Sequence, residues 1–294
     1  MTNAHDQAAS EAGGDHLQHA ISAAIAIARA HGLRVGEPAV LSDAYSVLLH
    51  LQPAPVVARV ATLTPLLRAP MEPWLSREVS VAGFLAARGA PVVAPSGELP
   101  AGPHRHDELV LTFWQHVRPD PDRTPDAAET ARMLADLHAA LREYPGTLPL
   151  LCPPLNDIPR GLDRLDRAGS LAAPDRALLR DAYDQLLPLL ESHAGPIQPL
   201  HGDAHPHNLI ASGGQLLWHD FEDVCAGPIA WDLASVAMSG DGAIAAYPGA
   251  PDPDLLKMYR DARLLHGVVW VLALLPEYPI ADEQALLDVW RDRA

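Results

Sequence analysis

The sequence predicts an α+β chain in two parts, a small part built on an antiparallel sheet and a larger, mainly helical part. β-rich runs at Tyr45 to Leu51, Val56 to Thr62 and Leu109 to Phe113 surround a stretch with helical spacing around Glu78. Beyond Val117 apolar residues recur at helical spacing almost throughout. Late in the chain, two apolar runs around Gly213-Gly214 read as a hairpin set among those helices.

The elements follow in order. Residues 1–14 are polar and Gly/Ala-rich and read as a disordered tail. Asp15 is placed to cap a helix in which Leu17, Ile21, Ile25 and Ala28 align before Gly32. The segment Val40 to Leu49 holds the turn-favouring Ser42, Asp43 and Ser46 and lacks glycine. Gln52-Pro53-Ala54-Pro55 makes a tight connection to the next run. There Val56, Ala58 and Val60 share one face and Arg59 points the other way. A charge inside a strand run lies at an edge or has a function. Glu78 is its candidate partner, on a helix marked by Val81, Phe84 and Leu85 and ended by Gly89. The plainer alternative is a solvated surface pair. Leu109 to Thr112 continues into Phe113-Trp114-Gln115-His116-Val117, by itself a buried strand ending in an aromatic pair.

In the second part, Thr124-Pro125 starts a helix lined by Leu134, Leu137 and Leu141 and stopped by Pro145-Gly146. The Pro/Arg-rich stretch from Pro153 to Gly169 reads as a loop or inserted element. Leu179, Ala182, Leu186 and Leu189 mark a helix bent at Pro188, and further helices run from about Pro253 through Leu275 and from Asp282 onward.

Composition narrows the function classes. With 294 residues, 48% of them apolar, the chain can fill a substantial core. A formal charge of −16 argues against a nucleic-acid ligand and suits a cationic one, although it also serves solubility alone. Two cysteines make no disulfide framework, and no basic segment followed by a long apolar one opens the sequence, so the cytoplasm is the expected location. Apolar runs such as Gly267 to Leu275 are about half the roughly 20 residues a membrane span needs, so no membrane partner is expected.

The chemistry sits in His201-Gly202-Asp203-Ala204-His205-Pro206-His207-Asn208 and in Trp218-His219-Asp220-Phe221-Glu222. An Asp and an Asn at this spacing suit phosphoryl transfer: Asp203 orients an attacking hydroxyl and accepts its proton. The amide oxygen of Asn208 and the carboxylate of Asp220 are hard ligands suited to magnesium, and the intervening hairpin returns Asp220 to the loop. Glu222 and Asp223 assist a second magnesium or a cationic acceptor, or else form an exposed acidic turn. Asp232, taken alone, is an acid at a helix start. A rival reading takes His201, His205 and His207 with Asp203 as zinc or two-metal ligands of a metallophosphoesterase. It leaves Asn208 and the Asp220 hairpin unexplained.

Together, His201-Gly202-Asp203 with Asn208, His219-Asp220-Phe221-Glu222 and Trp231-Asp232-Leu233-Ala234 resemble the aminoglycoside phosphotransferase and choline kinase-like family, over most of the chain. The resemblance implies a two-lobed protein-kinase-like fold: a nucleotide-binding N-lobe over 15–113, a hinge over 114–117, and a C-lobe over 118–294 with the catalytic loop, magnesium and acceptor site. It implies Asp203 as catalytic base, Asn208 and Asp220 as Mg2+ ligands, Asp232 as the brace of the loop and His201 as a packing residue around it. It implies Arg59, where Lys is commoner, as the phosphate-gripping cation with Glu78 behind it, and Phe113 and Gln115 as hinge residues whose backbone groups meet the base of ATP or GTP. The glycine-rich turn of protein kinases is missing from Val40 to Leu49. The expected reaction moves the γ-phosphate of a nucleoside triphosphate to a hydroxylated small molecule, an antibiotic of aminoglycoside or nucleoside type. The alternatives are a choline-like amino alcohol, a sugar metabolite, or a pseudokinase that binds nucleotide without transfer.

Overall fold

Alanine-rich sequence with no proline before Pro38 favours a long first helix, α1 (Asn3–Ala30). The computed structural model describes residues 3–192, 196–240, 242–249, 251–279 and 281–292. α1 begins at Asn3, so Asp15 lies inside the helix instead of capping it, and the expected tail over 1–14 is helical from Asn3 onward.

The chain forms two compact units, one of residues 1–83 and 93–118, the other of 84–92 and 119–294. The first contains α1, β1 (Ala39–Asp43), β2 (Ser46–His50), β3 (Val56–Ala61), α2 (Pro65–Arg68), the N-terminal part of α3 (Glu72–Ala87), β4 (His104–His106) and β5 (Leu109–Gln115). Its sheet runs β1-β2-β3-β5-β4, antiparallel at every pairing. Leu48 pairs with Arg59 and Arg59 with Thr112, while the neighbouring rung is Leu49, Ala58 and Phe113. Because side chains alternate, Val47, Leu49, Val56, Ala58, Val60, Leu111 and Phe113 form one apolar face. Ala20, Ala23, Ala24 and Ile27 of α1 pack into the same core, and Arg59 belongs to the opposite face.

Two strands were not expected. One is β1, which pairs with the expected β2 as a hairpin, with a register shift between Val40 and Ser42. β4 spans only His-Arg-His, too short and polar to show a strand period. β5 also extends past Phe113 through Gln115.

The second unit holds α4 (Ala127–Leu141), α5 (Ile158–Ala168), α6 (Ala173–Ser192), β6 (Gln198–Leu200), β7 (Leu209–Ser212), β8 (Gln215–Trp218), β9 (Cys225–Gly227), α7 (Ala230–Ala237), α8 (Ala243–Ala246), α9 (Pro253–Leu274) and α10 (Glu283–Arg291). α4 is capped by Asp126, whose carboxylate accepts from Glu129 N–H at 2.7 Å, two residues beyond the expected Thr124. The Pro/Arg-rich stretch is no loop: a turn over Pro153–Asp157 leads into α5, which ends on left-handed Gly169. Its prolines fall where a helix needs no N–H donor, and its buried Leu162 and Leu165 face the core. α9 packs against α5, α6, α7 and α10. Gly161 permits that contact, since a Cβ there would lie 2.5 Å from Val269 Cγ1. Among the described residues no helix is long and apolar enough to cross a membrane.

Candidate active site

The second unit builds its site on a loop leaving β6, which pairs with β9 through Leu200 and Cys225. Gly202 adopts φ 90, and a Cβ there would lie 1.9 Å from the carbonyl oxygen of Asp223, so only glycine fits. Asp232, fully buried near the start of α7, grips this bend from below. Its Oδ2 accepts from His201 N–H at 2.9 Å and from His138 Nε2 at 2.9 Å, and its Oδ1 accepts from Gly202 N–H at 2.8 Å. A buried carboxylate without donors costs several kcal/mol, and these three donors offset that. Trp231 Nε1 adds a bond to the Gly202 carbonyl at 2.8 Å.

His201 is fully buried against Trp218 and Phe221. Burial pushes its imidazolium down to about 4, so the ring is neutral at pH 7. Its Nε2–H donates to the His219 carbonyl at 3.0 Å, which leaves Nδ1 to accept from Asp203 N–H at 3.3 Å. The ring shapes the loop and has no nitrogen left for a metal.

Asp203 stands at the tip. Asn208 Nδ2 donates to its carbonyl at 2.8 Å and to its Oδ2 at 3.3 Å, and His205 Nε2 faces the same Oδ2 at 3.3 Å. Committing the amide nitrogen in this way makes Oδ1 the end of Asn208 that can serve as a ligand. The β7-β8 hairpin pairs Leu209 with Trp218 and Ser212 with Gln215, turning on left-handed Gly213 and Gly214. At its base His219 N–H donates to the Asn208 carbonyl at 3.0 Å, which sets Asp220 next to Asn208. Asp220 itself is left-handed, with φ 60 and ψ 60, a conformation Asp tolerates better than most residues. Burial lowers the pKa of His205, against the opposing fields of Asp220 and Asp223. Glu222 and Asp223 are buried, which overturns the reading of an exposed acidic turn.

The structure also brings in residues the sequence reading missed. Arg263 of α9 pairs with Asp203 Oδ1 through Nη2 and donates through Nη1 to His266 Nδ1 at 3.2 Å. His266 Nε2–H donates to Asp157 Oδ2 at 2.9 Å, and Asn156 Nδ2 donates to Asp157 Oδ1 at 2.8 Å. The Arg263 guanidinium also lies 5.4 Å from the centre of the Trp231 ring. His138, partner of Asp232, binds the Tyr247 hydroxyl at 2.8 Å through its other nitrogen. The available signal was polar residues at helical spacing on otherwise apolar faces: Arg263 and His266 in α9, His138 in α4.

In the first unit Arg59 Nη1 donates to Glu78 Oε1 at 2.6 Å, and both side chains are buried, so they are no solvated pair. Phe113 requires a correction. Its N–H donates to Ala101 O at 2.8 Å, its carbonyl accepts from Ser96 N–H at 2.9 Å, and the residue is fully buried, so its N–H is taken and it is closed to a base. Gln115 N–H is likewise bound to Ala94 O at 2.9 Å.

Residues 41–272 match the model of the phosphotransferase enzyme family. The chain belongs to that family. Solved structures share its fold. Choline kinase LicA from Streptococcus pneumoniae superposes with a TM-score of 0.61 at 14% identity, covering 89% of this chain and 94% of that one. An aminoglycoside phosphotransferase solved with GDP and kanamycin gives 0.62 at 15%, covering 89% and 94%. Amicoumacin kinase hAmiN, solved with AMP-PNP, Ca2+ and Ami, gives 0.58 at 16%, covering 94% of each. At these identities the likeness establishes the fold, a two-lobed protein-kinase-like α+β architecture. No curated protein matches the chain significantly.

The phosphotransferase assignment displaces the metallophosphoesterase reading, and the site agrees. Among the described residues the group of His, Cys, Asp or Glu spaced to share a metal is His19, Asp107 and Glu108, in the first unit. His201, His205, His207 and Asp203 form no such group.

Proposed function

We propose that this phosphotransferase moves the γ-phosphate of ATP or GTP to a hydroxyl of a small molecule, with Asp203 as catalytic base. The observation that carries this reading is the tie from Asp203 through Asn208 to the hairpin that delivers Asp220. Asp203 accepts a hydrogen bond from the acceptor hydroxyl and takes its proton as the acceptor oxygen bonds to the γ-phosphorus. The bond from that phosphorus to the bridging oxygen breaks, and the nucleoside diphosphate leaves.

The donors fit magnesium: the oxygen end of Asn208, oriented by its bound nitrogen, and the carboxylate of Asp220 are hard ligands. When bound, the ion neutralises charge on the phosphate oxygens. Arg59, held by Glu78, supplies a guanidinium for phosphate oxygens. Asp232, His138 and His201 are positioning residues that keep the loop in shape. With Phe113 excluded, base recognition falls to the end of β5 and the hinge over 114–117. Nucleotide use is supported by family membership and by the GDP and AMP-PNP complexes of the related folds. The enzyme works in the cytoplasm, where nucleoside triphosphates are held.

The acceptor proposed first is a hydroxylated antibiotic, in line with the kanamycin and amicoumacin enzymes of the same fold. A choline-like amino alcohol is the second reading, favoured by the choline kinase likeness and the formal charge of −16. Purified protein with Mg2+, ATP or GTP and a panel of antibiotics, amino alcohols and sugars should give one product heavier by about 80 mass units, one phosphoryl group. Asp203→Ala should abolish it. Nucleotide binding with no product from wild type across the panel would instead mark a pseudokinase.

A further inference from the structure

We propose that Arg263 is a positioning and acceptor-specificity residue: it holds Asp203 until an acceptor carrying a hydrogen-bond-accepting oxygen beside its reactive hydroxyl takes the guanidinium over. This rests on the reading of Asp203 as the carboxylate that orients the acceptor.

Both carboxylate oxygens of Asp203 already meet donors, Arg263 at Oδ1 and the amide nitrogen of Asn208 at Oδ2, with His205 Nε2 3.3 Å from the same oxygen. An incoming hydroxyl is itself a donor to that carboxylate, which has about four lone-pair sites and can admit it, yet the carboxylate takes a proton most readily once one of its present donors yields. Asn208 is fixed by its bond to the Asp203 carbonyl and by the hairpin closure at His219. Arg263 reaches Asp203 by its side chain alone, and Asp203 keeps 24% of its side chain exposed, enough for an acceptor to reach it.

Arg263 does not depend on Asp203 for its place. His266 takes one of its nitrogens, the Trp231 ring lies beside it, and His266 is anchored in turn by the fully buried Asp157. A guanidinium so held stays beside the acceptor after Asp203 is released. There it repels an ammonium neighbouring the reactive hydroxyl and binds an oxygen, as in a diol. The geometry therefore favours polyhydroxylated acceptors over choline-like ones. It also protects the nucleotide: with no acceptor, water has to compete with Arg263 for Asp203. If water wins, its oxygen bonds to the γ-phosphorus, the bridging bond breaks, the proton passes to the carboxylate, and inorganic phosphate and nucleoside diphosphate are released.

The test uses the full chain with Mg2+ and ATP or GTP, measuring phosphate release without acceptor and transfer to polyols and amino alcohols. Arg263→Gln should raise acceptor-free hydrolysis about tenfold, the order of one charge-assisted hydrogen bond that no longer has to break. It should also raise KM for the polyol acceptor about tenfold with kcat nearly kept, and narrow the preference over amino alcohols. Arg263→Lys should restore part of each, and Asp203→Asn in the Arg263→Gln background should stop the extra hydrolysis. Hydrolysis no faster than wild type, or loss of hydrolysis and transfer in equal proportion, overturns the proposal and leaves Arg263 a structural residue. If Arg263→Gln fails to fold by circular dichroism, His266→Gln decides: hydrolysis rises if Arg263 has lost its aim, and unchanged hydrolysis overturns the proposal. Failure of the underlying reading looks different, since wild type itself would then neither hydrolyse nor transfer.

Discussion

Each unit buries a carboxylate that holds another group in place, and the two do so differently. In the first, Glu78 meets Arg59 in an ion pair between one helix and one strand. In the second, Asp232 is held by two backbone N–H groups and a histidine, and the loop it braces carries Asp203, itself held from α9 by Arg263. The pair aims one side chain. The network sets the shape of a backbone, and so every group on that backbone depends on it. Damage to the pair should appear as weaker nucleotide binding, whereas damage to the network should appear as lost stability together with lost turnover.

The largest effect expected is at Asp232. Asp232→Ala strands two loop N–H groups and a buried histidine, which should cost about 4 kcal/mol of stability and nearly all activity. Urea unfolding with a turnover assay measures both, and a variant of near wild-type stability would break the comparison.

His201 sharpens it. Its imidazolium is pushed from an ordinary 6.5 down to about 4 by burial, so the folded state binds its proton less readily than the unfolded chain. Its contribution is therefore complete above about pH 6.5 and is lost as pH falls towards 4, up to about 3 kcal/mol from this one group. A urea midpoint that falls over that window in wild type, and falls less in His201→Gln, is the expected result; identical pH profiles would remove His201 from the account.

Glu78→Gln should do least to stability, about 2 kcal/mol, because the amide still offers Arg59 an oxygen. Its signature is a raised nucleotide KM with kcat retained, read from steady-state kinetics at varied nucleotide. A collapse of kcat equal to that of Asp232→Ala would erase the distinction between the two units.

The same contrast explains what could be read from the chain. Asp203, Asn208, Asp220 and Asp232 lie in short motifs whose geometry is local, a bend, a hairpin and a helix start, so their placement was legible. Arg59 and Glu78 were legible because a charge in a strand and a carboxylate on α3 each break an apolar pattern. His138, Asp157, Arg263 and His266 were not, since a polar residue on a helix face shows that it has a partner without showing which one. Phe113 misled because its engagement is by backbone, which no side-chain pattern encodes. β1 and α5 were hidden by the missing glycine and by prolines that a helix start accommodates.

The central claim is that Asp203 directs an acceptor oxygen at a nucleotide phosphate. It is tested most directly by titrating magnesium–nucleotide into wild type and Asp203→Asn by calorimetry, then following phosphoryl transfer by each with the best acceptor of the panel. Equal nucleotide affinity is expected, with transfer reduced by roughly 10²- to 10⁴-fold in the variant, the usual contribution of a positioned base. Transfer by Asp203→Asn at the wild-type rate would contradict it.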